Sequence, residues 1–215
     1  MTTIIGYGED ALTFWALSQR MADILRQLGD DTPPGDAVVF YRPSCGRGES
    51  GGDEALRSLF GEFDAIIGTA VGVYLVEAKW HRSSGVRGGG VKLDEAQLRR
   101  HGIFATYLRL WRKARPEDRA SWDRFAVVAK AEFEATHEGW RLVYSETSTR
   151  NVGFVLERLG NCGEIMRYVL LFVGPRGVVA PAAAPPGFTL VAVTFDALAG
   201  GDFFDTGVAV QAGGQ

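Results

Sequence analysis

Two acidic residues and one lysine fall on neighbouring segments with the spacing of a β-hairpin. Apolar, β-prone residues predict strands over 63–67 and 73–79, joined through the glycine-containing stretch 68–72. Side chains alternate across a strand, so Glu77 and Lys79 share one face, and hairpin pairing brings Asp64 alongside Glu77. A charge on the buried side of a sheet needs a partner or an ion. The three side chains therefore predict a site for a divalent cation.

Phosphodiester hydrolysis is the chemistry that suits this set. Mg²⁺ takes oxygen ligands and keeps several waters, so two carboxylates leave room for a substrate phosphate and a nucleophilic water. Lys79 would orient or help to deprotonate that water and would offset charge in the transition state. The expected cofactor is Mg²⁺ or Mn²⁺, and no activated serine or cysteine is required.

The segments around the hairpin alternate between helical and strand patterns. Apolar residues at three- and four-residue steps predict helices over 9–28, 93–113 and 151–159, with two further turns over 53–60. Short apolar runs predict additional strands over 37–41, 125–130, 141–144, 168–173 and 189–195. The stretch 178–187, rich in Pro and Ala, resembles a linker. This order predicts an α/β fold with a central mixed sheet flanked by helices and extended by C-terminal strands.

The run GEFDAI at 61–66, followed by VEAK at 76–79, resembles the PD-(D/E)xK restriction-endonuclease-like superfamily. The pattern is similar to its branch of Holliday-junction resolvases and small predicted endonucleases. An N-terminal helix with an early glutamate, here Glu9, adds to the likeness. The proline of the family name is absent before Asp64. The resemblance covers residues 7–130.

This resemblance implies roles for individual residues. Asp64 and Glu77 would be metal ligands, Lys79 the catalytic lysine, and Glu9 a further ligand, direct or through water. Gln97 matches a glutamine that many members carry on the following helix. The implied activity is endonucleolytic cleavage of DNA, with RNA not excluded, in defence, repair or recombination. Many relatives act as dimers, so a homodimer is one alternative, and a partner protein for target recognition is another.

The resemblance also implies a domain organisation. Residues 1–135 would form the restriction-endonuclease-like core, and residues 136–198 an extension that completes it or packs on it. The glycine-rich segment 199–215 is expected to be a flexible tail.

Basic residues near the hairpin are candidates for binding substrate. Arg82 leaves the strand end where a phosphate would sit, and His81 is a candidate through its location. Arg100 and Gln97 lie on the next predicted helix. A second basic group follows along the same helix and equally fits a solvated face: Arg109, Arg112, Lys113 and Arg115.

Three other interpretations compete with a nuclease. The chain would keep the fold as a catalytically inactive nucleic-acid-binding or protein-interaction module, or the hairpin would be a surface feature with an exposed Glu–Lys pair. Gly46, Gly48 and Gly51 spell the GxGxxG of dinucleotide-binding enzymes, but only residues 52–62 separate them from the next predicted strand, too few for the required helix. The histidines lack ligand-like spacing with Cys45 and Cys162, so zinc is not expected.

Composition sets the remaining expectations. Apolar residues make up 46% and charged residues 23%, which is ordinary globular usage. The net charge of −3 creates no overall attraction to a polyanion, so nucleic-acid binding needs a local basic patch. Two cysteines are too few for a disulfide framework. With no signal-like N-terminus and no long apolar stretch, the expected location is the cytoplasm, without membrane contact.

Overall fold

A five-stranded mixed sheet forms the centre of the computed structural model, which describes residues 4–45, 61–87, 90–198 and 203–207. In spatial order its strands are β2 (Val38–Tyr41), β3 (Ala65–Gly68), β4 (Gly72–Trp80), β7 (Ile165–Pro175) and β8 (Phe188–Phe195). The first three strands are antiparallel, and β7 and β8 join in parallel. The predicted α/β class with a mixed central sheet is confirmed.

Helices cover both faces of this sheet. On one face lie α1 (Gly8–Gln19) and α2 (Met21–Leu28), and on the other lie α3 (Glu95–Lys113), α5 (Trp122–Thr136) and α6 (Glu146–Leu159), with the short α4 (Pro116–Arg119) before α5. Two small ladders pair β1 (Ile5–Gly6) with β9 (Phe204–Asp205), and β5 (Val86–Arg87) with β6 (Gly90–Val91). A 3-10 turn spans Pro34–Asp36. The result is a three-layer arrangement around one sheet.

The predicted hairpin is confirmed, and its second strand lies inside the sheet. Ala65 pairs with Val76 and Gly68 with Val73, while β4 runs in register with β7 along its whole length. Val73 and Leu75 belong to the core beneath α3, whereas Tyr74 and Val76 pack toward α1 and α2. Burial on both faces explains the continuous apolar sequence of this strand.

The strand predicted over 125–130 is wrong, because these residues form the middle of α5. Ser121 caps the helix by accepting the N–H of Arg124, and Phe125, Ala129 and Phe133 recur every four residues on its buried face. Val127 is 80% exposed, which alternating strand burial would not produce. The helical period outweighs the β propensity of a short valine-rich run.

The strand predicted over 141–144 is also wrong. These residues lie outside every strand of the described chain, and the N–H of Val143 donates to the Tyr107 hydroxyl at 2.8 Å. The Trp122 indole N–H donates to the carbonyl of the same residue at 2.9 Å. Tyr107 of α3 and Trp122 of α5 therefore supply the hydrogen bonds that a neighbouring strand would otherwise give to the backbone of Val143.

Two sequence interpretations concern segments only partly described. The predicted helix 53–60 and the glycines at 46, 48 and 51 lie outside the described residues. The strand preceding those glycines, β2, pairs antiparallel with β3, whereas a dinucleotide-binding unit needs a parallel pair. Within the segment 199–215, Phe204 is 1% exposed and its strand pairs with β1; residues 199–202 and 208–215 lie outside the described chain.

A buried aspartate ties α2 to the turn of the hairpin. Asp30 is 2% exposed, and its Oδ2 accepts hydrogen bonds from the hydroxyls of Thr69 at 2.6 Å and Tyr74 at 2.7 Å. The N–H of Thr32 donates to Oδ1 at 2.9 Å. Burial acts to raise the pKa of Asp30, but these hydrogen bonds outweigh it and hold the pKa below its ordinary value. The ionised carboxylate therefore stabilises the fold.

Asp30→Asn is expected to lower the free energy of unfolding by about 2 kcal/mol at pH 7, because the amide cannot accept all of these hydrogen bonds. A lowered folded-state pKa gives stability that is present above the unfolded-state pKa and is lost as pH falls through the folded value. The difference from wild type should therefore shrink below about pH 4. Urea unfolding at pH 7 and pH 3 measures it, with the exposed Asp36→Asn as control; a pH-independent difference would contradict the assignment.

Candidate active site

Glu77 of β4 is the buried carboxylate at the centre of the candidate site. It lies on the same sheet face as Leu75, toward α3, and is 1% exposed. The Gln97 side-chain amide donates to Glu77 Oε2 at 2.9 Å, and the Arg100 Nη2 donates to the same oxygen at 3.3 Å. These partners from α3 explain how a charged side chain is accommodated in the interior.

The second oxygen of Glu77 has unused hydrogen-bonding capacity. Arg100 Nε lies 3.0 Å from Oε1, which satisfies an ion pair, but the two atoms are not aligned for a hydrogen bond. Both atoms are buried, and neither has a hydrogen-bond partner among the residues that the structure describes. An orphaned buried carboxylate oxygen is costly for folding alone. It is the kind of atom that a bound cation would satisfy.

Asp64 lies beside Glu77 at the entry to β3. Ala65 pairs with Val76 in the antiparallel ladder. Asp64, which precedes Ala65, therefore lies opposite Glu77, which follows Val76. Asp64 Oδ2 accepts the N–H of Ala78 at 2.7 Å, so its side chain folds over the β4 backbone next to Glu77. The hairpin thus delivers both predicted carboxylates to one place.

The pKa values of the two carboxylates are both shifted upward by their surroundings. Burial raises the pKa of Glu77 to about 8; Arg100 opposes this shift, and the charge of Asp64 adds to it. Burial likewise raises the pKa of Asp64, against the Ala78 N–H and the charge of Lys79. Each ionised carboxylate is therefore disfavoured, and additional positive charge would stabilise both.

Lys79 and Glu9 meet at the end of β4. Lys79 Nζ lies 3.8 Å from Glu9 Oε1, and the lysine side chain is 15% exposed. Glu9, in the first turn of α1, also accepts a hydrogen bond from the Ser83 hydroxyl and a longer one, 3.4 Å, from the Trp80 N–H. The structure therefore brings Glu9 to Lys79 and to the backbone that follows it.

The N-terminus of α3 orients the glutamine that contacts Glu77. Asp94 Oδ1 accepts the backbone N–H of Gln97 at 2.7 Å, and Gln97 Oε1 accepts the backbone N–H of Asp94 at 3.0 Å. This capping box leaves the Gln97 amide nitrogen to donate to Glu77. The D-x-x-Q spacing is visible in the sequence, although it does not reveal that the cap serves the site.

Arg100 and His101, one turn farther along α3, are held inside the protein. Arg100 Nη1 donates to the carbonyl of Glu62, and its guanidinium lies 5.9 Å from the ring centroid of Phe63. His101 is fully buried, its Nδ1 lies 2.8 Å from the carbonyl oxygen of Gln97, and burial lowers its pKa to about 4. The histidine is therefore neutral and donates to that carbonyl through Nδ1. Arg100, a predicted substrate-binding residue, supports Glu77 in this arrangement.

A cleft of about 640 Å³ opens beside the candidate site. Lys79 and Gln97 line it from β4 and α3, and its other lining residues come from the segment between them: Ser84, Gly85, Gly90, Val91, Lys92, Leu93 and Asp94. Two of the predicted site residues therefore face a space that a ligand can enter.

Two other predicted substrate-binding residues lie beyond this cleft wall. His81 continues the β4–β7 ladder by donating its N–H to Val173 at 3.2 Å, and its ring packs edge-on against Trp80. Arg82 is exposed in the turn that follows. Among the described residues that line the cleft, neither one is found. The structure therefore places both at the end of β4.

The distal basic residues of α3 make contacts within the protein. Arg109 and Lys113 both pair with Glu132 of α5. Arg112 Nη2 donates to three carbonyls at and just after the end of α6, among them Gly163 at 2.9 Å. Arg109, Arg112 and Lys113 therefore tie α3 to α5 and to the end of α6.

The donor set fits a cation that prefers oxygen ligands. Glu77 offers an orphaned oxygen, Asp64 lies beside it, and both gain from added positive charge. In the described parts of the chain, no three side chains of histidine, cysteine, aspartate or glutamate are grouped as a metal site. Asp64 and Glu77 would leave the other coordination positions of such a cation to water and substrate oxygens.

Comparison with known proteins identifies no relative of the chain. No protein family, curated protein or solved structure matches the chain. Among the described helices, none combines the length and apolarity needed to cross a membrane. The functional argument therefore depends on the site itself.

Proposed function

We propose that the protein is a Mg²⁺- or Mn²⁺-dependent endonuclease with a restriction-endonuclease-like core, which hydrolyses phosphodiester bonds of DNA. The observation that carries this proposal is the buried Glu77 carboxylate, whose Oε1 accepts no hydrogen bond from the described residues, beside Asp64 and on the strand that bears Lys79. A purely structural carboxylate would be expected to satisfy both oxygens. The adjacent cleft gives a substrate access to Lys79.

Each residue has a distinct task in this proposal. Asp64 and Glu77 hold the cation, and Gln97 fixes the Glu77 carboxylate through its amide. The bound cation supplies Lewis-acid polarisation of the phosphoryl group and a more acidic water. Lys79 places its ammonium at the cleft, where it offsets negative charge that develops on the phosphate. Glu9 holds Lys79 from the opposite side at 3.8 Å.

A catalytically inactive module with the same fold is the second candidate. The Arg100 guanidinium lies 3.0 Å from Glu77 and already supplies positive charge to the carboxylate. In such a protein the arginine would replace the cation, and the cleft would bind nucleic acid or protein without chemistry.

Cleavage assays separate the two candidates. Supercoiled plasmid, branched DNA, single-stranded DNA and RNA are incubated with the protein in Mg²⁺, Mn²⁺ or EDTA. The nuclease proposal expects new ends on DNA with either cation and none in EDTA. Binding without cleavage in every condition would support the inactive module, and cleavage that persists in EDTA would overturn the metal-dependent mechanism.

A further inference from the structure

Arg42 adopts a backbone conformation that arginine rarely takes. Its φ is +49°, and among the described residues it is the one non-glycine residue with a positive φ. The left-handed region is unfavourable for a side chain with a Cβ, and glycine or asparagine tolerates it better. Such strain persists only where the surroundings enforce it, so the contacts of Arg42 need an explanation.

The Arg42 side chain joins two segments that lead to the candidate site. Its Nη1 pairs with Asp10 in the first turn of α1, next to Glu9. Its Nε and Nη2 lie 2.7 and 2.6 Å from Glu62 Oε1, just ahead of Asp64. Its backbone N–H also donates to the Asp64 carbonyl at 3.1 Å.

A second link runs from Arg42 toward Glu77. The carbonyl of Glu62 accepts a hydrogen bond from Arg100 Nη1, and Arg100 Nε lies 3.0 Å from Glu77. Glu9, Asp64 and Glu77 come from three separate elements, and Arg42 lies within a short chain of contacts from each. Arg42 thus contacts the neighbours of Glu9 and Asp64 directly, and it is linked to Glu77 through Glu62 and Arg100.

We infer that Arg42 is a positioning residue for the cation site, an inference that rests on the proposed function. It holds the start of α1 against the entry of β3, and this fixes the distance between Glu9 and the Asp64–Glu77 pair. Its ion pair with Asp10 contributes little to folding, because Arg42 is 37% and Asp10 66% exposed, while Glu62 in the second pair is 19% exposed. The strained backbone is thus retained for geometry more than for stability.

Arg42→Asn tests this inference, because asparagine accepts the left-handed backbone and keeps the N–H that donates to Asp64. The dissociation constant for Mn²⁺, measured by calorimetry without nucleic acid, should rise about tenfold. The Tm in EDTA should stay unchanged or increase by about 2 °C as strain is relieved. Arg42→Lys, which keeps the positive charge, should bind Mn²⁺ more tightly than Arg42→Asn and less tightly than wild type.

Arg176→Asn is the control, since Arg176 forms an exposed pair with Asp196 just past the ends of β7 and β8; it should change neither quantity. Wild-type Mn²⁺ affinity in Arg42→Asn, or a weaker affinity with a lowered Tm, would overturn the positioning role alone. If the wild-type protein shows no Mn²⁺ binding that depends on Glu77, the proposed function and this inference both fail.

Discussion

Glu77→Gln is expected to lower cation-dependent cleavage by about 1000-fold or more and, at the same time, to stabilise the cation-free protein. The loss corresponds to about 4 kcal/mol of transition-state stabilisation. It follows from removing an ionised ligand that an amide replaces poorly, because Mg²⁺ favours charged oxygen donors. The amide still fits the buried position, where the Glu77 side chain is 1% exposed.

The effect of this substitution on stability should depend on pH. Burial raises the pKa of Glu77 to about 8, so its contribution to stability is full below the unfolded-state pKa near 4.5 and is lost as pH rises through 8. A neutral amide avoids that loss. The gain of the variant should thus be near zero at pH 4 and should reach about 1 kcal/mol by pH 9, because Arg100 then lacks its charged partner.

Chemical unfolding in EDTA across this pH range measures the gain, and thermal unfolding with and without Mn²⁺ measures the cation effect. Wild type should be stabilised by Mn²⁺, whereas Glu77→Gln should respond weakly. Glu157→Gln, an exposed carboxylate on α6, serves as the control. Full cleavage activity in Glu77→Gln would disprove the assigned role of this residue.

Lys79→Met is expected to reduce cleavage by about 100- to 1000-fold while leaving Mn²⁺ affinity unchanged or improved. Methionine keeps most of the apolar stem but removes the ammonium that faces the cleft, so negative charge on the transferring phosphate is no longer offset. The ammonium is not a ligand, and its removal takes a competing positive charge away from the carboxylates.

Single-turnover cleavage and Mn²⁺ calorimetry on the same preparations separate these two effects of Lys79→Met. Lys113→Met, on the far end of α3 and paired with Glu132, is the matched lysine control. A parallel loss of Mn²⁺ affinity and cleavage would instead make Lys79 a structural support of the carboxylates.

The hairpin with its charged face is predictable from sequence because its signals are local. A two-residue period places Glu77 and Lys79 on one side, and the short turn fixes which residues of the two strands pair. Asp64 then follows from the register alone. The family resemblance predicts a role for Gln97, and the structure shows its side-chain amide donating a hydrogen bond to Glu77.

Other parts of the site depend on contacts that no local pattern encodes. The parallel pairing of β4 with β7 joins segments almost a hundred residues apart, and sequence periodicity does not select partners at that distance. Arg42 belongs to no recognisable sequence motif. Its inferred positioning role rests on its positive φ and on its contacts with Asp10, Glu62 and the Asp64 carbonyl. The error over 125–130 has a different cause, since a valine-rich run satisfies the β propensities while the wider helical period decides the outcome.

The interior location of β4 predicts how the candidate site should unfold on heating. Its backbone is hydrogen-bonded to β3 on one side and to β7 on the other. Glu77 and Lys79 therefore cannot separate through fraying of an edge, and their amides belong with the slowest-exchanging part of the molecule. The cation site and the sheet should melt as one cooperative unit.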